Sequence, residues 1–195
     1  MFAENNDDCV SLFEWLDGVK VIDLTLYEDN TKKLIGSLIL DIFYAEMKQL
    51  GESATDEGFR QLRAMIMVDE AHQFLKARFN SLRKIISEGR MFGVGMILST
   101  QNIGDFKTAE EDFTQYIMSW VLHHVPNITK SELERVFGSN NAQLQNYMRY
   151  INQAGKFESL VKLGGTVTAI KDLPYYKLLD IDARFKEIAI NDKQN

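Results

Sequence analysis

Two short apolar runs, each closed by polar residues, constrain this chain more than any other feature. Ala64-Met65-Ile66-Met67-Val68 stops at Asp69-Glu70, and Val94-Gly95-Met96-Ile97-Leu98 stops at Ser99-Thr100-Gln101. Unbroken apolar runs of this length suit strands buried on both faces. Between them, 79–88 reads as a helix with Gly89 as its stop signal. A strand, a crossover helix and a second strand form a parallel pair by a right-handed connection. Both polar tips then lie at the carboxyl edge of one sheet, where open α/β folds bind their ligands.

The rest of the chain extends that pattern. Val19-Lys20-Val21-Ile22-Asp23-Leu24 predicts a short strand, and 31–50 an amphipathic helix carrying Leu34, Leu38, Phe43 and Met47. Residues 52–58 read as a polar surface loop, 110–118 as a helix and 120–123 as a further strand. Helices over 130–137 and 141–150 precede a hairpin, 156–162 and 167–171 around Gly164-Gly165. The tail over 183–195 is polar. The fold class is α/β, a mostly parallel sheet flanked by helices with a C-terminal β-hairpin.

Composition narrows the function. The 195 residues suit one domain, and 45% apolar with 26% charged residues is too rich for disorder. A net charge of −6 argues against a salt-driven nucleic-acid coat. That charge is segregated: 1–31 hold one base against eight acids, and 60–91 hold seven bases against three. A solvated face explains such a stretch, and so does a surface for a phosphate-bearing ligand. No apolar run reaches the roughly 18–20 residues a membrane span needs. Cys9 is the single cysteine, which excludes an internal disulfide and a cysteine-based zinc cluster. The acidic start has no apolar signal core, so the expected compartment is the cytoplasm.

The strand tips carry the chemistry. Met65 to Glu70 has the form of a Walker B strand: Asp69 would hold Mg²⁺ through its water shell, and Glu70 would polarise water for attack on a γ-phosphate. Two solvated acids at a strand end are the plain alternative. At the neighbouring tip, the Gln101 amide would sense the γ-phosphate, whereas a turn cap is the plain reading of Ser-Thr-Gln. Arg90, between Gly89 and Gly93, reads as an arginine finger for a neighbouring subunit or as a surface arginine.

The series Val68-Asp69-Glu70-Ala71-His72, Glu88-Gly89-Arg90-Met91-Phe92-Gly93-Val94-Gly95 and Ile97-Leu98-Ser99-Thr100-Gln101 resembles the HerA/FtsK-type P-loop motor ATPases, which include conjugation ATPases of related build. The resemblance covers 64–106 closely and 19–171 loosely. It implies a partial RecA-like P-loop NTPase core, ATP and Mg²⁺ as cofactors, and a homo-oligomeric, hexameric ring around DNA. It maps Asp69 and Glu70 to Walker B, Gln101 to the sensor and Arg90 to the finger, with Arg83 second. Gln101-Asn102-Ile103-Gly104-Asp105-Phe106 is most similar to the DptH subgroup, ATPases of phosphorothioation-dependent DNA restriction. That subgroup implies further restriction subunits as partners.

No Gly-x4-Gly-Lys-Ser/Thr phosphate loop is present, and Gly155-Lys156 fails because Tyr150 and Phe157 flank it wrongly. The expectation is that 1–195 form the C-terminal part of a larger ATPase domain, silent alone as an ATPase. The alternatives are a conjugation-type ATPase fragment and a non-catalytic oligomerisation or DNA-binding platform. An RNA helicase of the Asp-Glu-Ala-His type fits less well, because Ser-Thr-Gln replaces its third motif. His123 and His124 would point to opposite faces of a strand, one of them buried. Phe79, Phe92, Phe106 and Phe113 read as core, and Lys107 as a possible backbone contact to DNA.

Overall fold

The computed structural model describes residues 11–174, apart from 17, 78 and 139–141, together with 177. Cys9, Arg78, Asn141 and the 183–195 tail lie outside the described residues. Its contacts divide the chain into two compact units, Met1–Asp112 and Phe113–Asn195.

In the first unit, α1 (Leu12–Trp15) is anchored to α2 (Asp29–Leu50) by one carboxylate. Glu46 accepts the Leu12 and Phe13 N–H groups at 2.9 and 3.1 Å and the Ser11 hydroxyl at 3.0 Å. Phe13 stacks on Phe43, with ring centroids 4.7 Å apart. Leu40, Phe43 and Met47 on α2 are buried, as are Leu82 and Ile85 on α4 (Asn80–Glu88), against which α2 packs. A shorter helix, α3 (His72–Leu75), also meets α2. A Cβ at Gly36 would stand 2.5 Å from the Phe74 ring, so only glycine permits that approach.

The expected strand over 19–24 is absent. Val19 is 92% and Val21 85% exposed, and the segment joins no ladder. β-branched residues favour a strand only where a neighbour accepts their hydrogen bonds and covers a face. The 52–58 loop contains part of a small antiparallel hairpin, β1 (Thr55–Asp56) with β2 (Phe59–Arg60).

The two apolar runs form the predicted parallel pair. β3 (Ala64–Val68) and β4 (Val94–Leu98) run in register from Ala64↔Val94 to Val68↔Leu98. Their burial on two faces is not observed: Met65 and Met67 are exposed, the latter by 70%, while Ala64, Ile66 and Val68 are half-buried. Only one face of the pair is covered by the helices described. A single 3₁₀ turn, Gly89–Phe92, leads into β4 through Gly93 at φ +73°. A Cβ there would lie 2.3 Å from the Gln61 carbonyl oxygen, so this turn also requires glycine.

The helix expected over 110–118 reduces to a 3₁₀ turn, Phe113–Tyr116. Thr108 draws the preceding backbone into a local turn, its hydroxyl accepting the Glu111 N–H at 3.0 Å and its N–H bonding the Glu111 carbonyl.

The second unit is an antiparallel sheet in the order β5 (Ser119–Leu122), β6 (Glu158–Leu163), β7 (Thr166–Lys171), with α5 (Lys130–Phe137) and α6 (Leu144–Gln153). The β6–β7 hairpin is the one predicted, turning at Gly164-Gly165. β5 pairs antiparallel with β6 instead of extending a parallel sheet; β3–β4 is the one parallel pair among the described residues. Its Trp120 and Leu122 are buried while Ser119 and Val121 are not, the alternation of a sheet packed on one face. Leu133, Val136, Ile151 and Leu160 complete that unit's core.

Candidate functional site

Register places the two polar tips side by side. Beyond the Val68↔Leu98 pair the ladder continues into the turns: Ser99 N–H bonds the Val68 carbonyl at 3.0 Å and Ala71 N–H bonds the Ser99 carbonyl at 2.8 Å. Asp69 is exposed, and its Oδ1 accepts the Glu70 N–H at 3.0 Å. Glu70 takes a left-handed conformation, φ +50°, which a non-glycine residue adopts at a cost of about 1 kcal/mol. That kink turns its carboxylate toward the next strand, where Gln101 Nε2 donates to Oε1 at 2.9 Å. The other oxygen, Oε2, lies 3.1 Å from His72 Nδ1. The structure thus joins Glu70 and Gln101 directly and sets Asp69 beside them.

Behind this pair stands a second set of contacts that the sequence reading missed. Thr100 Oγ1 donates to Asp105 Oδ2 at 2.8 Å, and Lys76 Nζ to Asp105 Oδ1 at 3.0 Å. Burial by itself would raise the Asp105 pKa. The Thr100 hydroxyl, Lys76 and the nearby His72 outweigh it, and the carboxyl is held below its ordinary range. Asp105 therefore braces the β4 tip against the segment that follows β3. No local signal marks the pairing, because Lys76 and Asp105 are 29 residues apart.

Of the basic stretch, most charges are committed elsewhere. Arg60 bonds the Ser53 and Met91 carbonyls and Glu52, and Arg63 the Gly51 and Glu52 carbonyls. Arg83 Nε lies 2.6 Å from Glu111, and Lys84 sits over the Tyr44 ring at 5.2 Å. Arg90 is exposed on the 3₁₀ turn and has no ion pair or side-chain hydrogen bond among the described residues.

His123 and His124 meet backbone carbonyls. His123 Nδ1 is 3.4 Å from the Glu158 carbonyl oxygen, and His124 Nδ1 is 3.2 Å from that of Ile151. Both lie just past β5 and both are exposed, so neither is the buried strand residue expected. Phe92, Phe106 and Phe113 are buried.

Among the described residues no group of three or more metal-ligating side chains gathers. Asp69, with one oxygen not engaged by the Glu70 amide, suits an ion that takes one protein carboxylate and fills its shell with water and phosphate oxygens. That is the habit of Mg²⁺.

The fold is similar to that of VirB4 of Thermoanaerobacter pseudethanolicus, with a TM-score of 0.57 and 17% identity. The match covers 80% of this chain and 41% of that one, so this chain spans less than half of VirB4's length. The chain therefore shares part of the α/β fold of that protein. No family model and no curated protein matches the sequence.

Proposed function

We propose that this chain is the Walker B and sensor portion of an ATP-driven motor of the conjugation-ATPase type. The observation that carries the reading is the hydrogen bond from Gln101 to Glu70 across adjacent parallel strand tips, with Asp69 beside it. A water-polarising carboxylate and a γ-phosphate-sensing amide act on one phosphate, and this geometry unites them. The likeness to VirB4 favours the conjugation-type ATPase over the restriction role that the DptH resemblance implies.

In this reading Asp69 holds Mg²⁺, which neutralises phosphate charge when bound. Glu70 orients and deprotonates the attacking water, and Gln101 registers the γ-phosphate. Arg90 is the better finger, because Arg83 is already paired with Glu111. The missing phosphate loop comes from chain outside this sequence, and the exposed face of β3 agrees with a sheet awaiting more cover. The assembled motor is a hexameric ring on DNA in the cytoplasm. No described helix is long and apolar enough to cross a membrane.

The test is Glu70→Gln in a protein that unites this chain with a phosphate loop. ATP binding should persist while turnover falls about a hundredfold or more. Hydrolysis at the wild-type rate would overturn the reading in favour of a non-catalytic platform. Arg90→Ala should cut turnover in the assembled ring, and Arg83→Ala should not.

A further inference from the structure

We propose that His72 is a positioning residue for Glu70, holding the inner oxygen of its carboxylate so that the outer oxygen faces Gln101. The proposal rests on the reading of Glu70 as the water-polarising carboxylate.

Glu70's two oxygens occupy different surroundings. Oε1 takes the Gln101 amide at 2.9 Å. Oε2 is shut off from solvent and accepts no hydrogen bond, and His72 Nδ1, likewise enclosed, stands 3.1 Å away. The approach is off the line of a hydrogen bond, so the contact is one of close packing and electrostatics: the imidazole edge stands directly against the inner carboxylate oxygen. A buried acceptor without a donor is costly, so the inward placement of Oε2 depends on the group packed against it, and that group is His72. The left-handed backbone at Glu70 sends the side chain toward β4, and the groups packed around the carboxylate set which oxygen faces Gln101.

His72 is well placed to hold that orientation. It is the first residue of α3, and the C-cap of that helix is Lys76, the partner of Asp105. Asp105 in turn bonds Thr100, the neighbour of Gln101. His72 therefore ties the Glu70 carboxylate to the same braced segment that positions the sensor strand. Without it, the Glu70 carboxylate loses a defined direction, and a base misplaced by about 1 Å forfeits much of its effect.

The experiment has two readouts. In this chain, the side-chain amide signals of Gln101 are followed by NMR. His72→Ala should move them toward those of Glu70→Ala, where the bond is gone. His72→Asn, whose amide nitrogen falls near the position of Nδ1, should keep them close to wild type. Gln101 signals unchanged in His72→Ala would overturn the proposal. In a protein that includes the phosphate loop, His72→Ala should lower kcat about ten- to a hundredfold with KM for ATP unchanged, and His72→Asn should recover most of it. A structural role alone would lower thermal stability without that split and without the rescue. Normal kcat in His72→Ala beside an inactive Glu70→Gln would reject the positioning role and leave the ATPase reading standing. Normal turnover in Glu70→Gln would reject the ATPase reading, and the NMR result would still decide the contact.

Discussion

Glu70 shows how one backbone angle converts a strand end into a site. A residue continuing β3 would project from one face of the sheet; at φ +50° its side chain instead crosses to Gln101. Asp105 plays the complementary part on the other strand, and its ionisation makes that part testable. Its folded-state pKa lies below the ordinary value of 3.8, because the Thr100 and Lys76 contacts and the nearby His72 outweigh the opposing effect of burial. A depressed carboxylate stabilises the fold above its unfolded pKa, and that contribution is lost as pH falls through the folded one. Asp105→Asn should therefore destabilise the chain at neutral pH, and the difference from wild type should shrink below about pH 4. Urea melts across that pH range check it; a difference independent of pH would contradict the assignment.

At the level of elements, local chemistry explains why some segments formed as expected and others did not. α5 starts on a capping box: Thr129 Oγ1 accepts the Glu132 N–H at 3.2 Å, and the Glu132 carboxylate accepts the Thr129 N–H at 2.8 Å. Thr129→Ala should cost about 1 kcal/mol, read as a shift in the denaturation midpoint of the second unit. Such a box is written within four residues. The 110–118 segment has helical composition but no box; Thr108 closes a turn before it, and only a 3₁₀ turn follows. Strands depend on partners: 19–24 has the residues for one and lacks the neighbour, whereas 119–122 finds its partner in β6.

Across the whole molecule, the apolar surface is the feature that most bears on assembly. In the first unit Leu34, Leu38 and Ile42 form an exposed stripe along α2, and Met65, Met67 and Ile97 lie exposed on the parallel strands. Soluble monomers seldom leave contiguous patches of this kind uncovered. The double variant Leu38→Gln with Met67→Thr should change stability by no more than about 0.5 kcal/mol, since both side chains are mostly exposed. It should lower self-association measured by light scattering. A large loss of stability would show that these side chains are already packed in solution.

The sequence by itself determined the α/β class, the parallel β3–β4 unit, the long helix α2 and the β6–β7 hairpin. Those features follow from short-range signals: apolar runs of strand length, helical spacing, and glycines at turns. It also marked Asp69, Glu70, Gln101 and Arg90 as the residues to examine, from the order of polar groups at strand tips. Only the tertiary structure decided that Glu70 and Gln101 are bonded, that His72 and Asp105 stand behind them, and that Glu111 takes Arg83 but leaves Arg90 open. It alone showed that one face of β3 is bare and that β5 belongs to an antiparallel sheet. Hydrogen bonds, ion pairs and strand neighbours join residues distant in sequence, and their geometry exists only once the chain has brought them together.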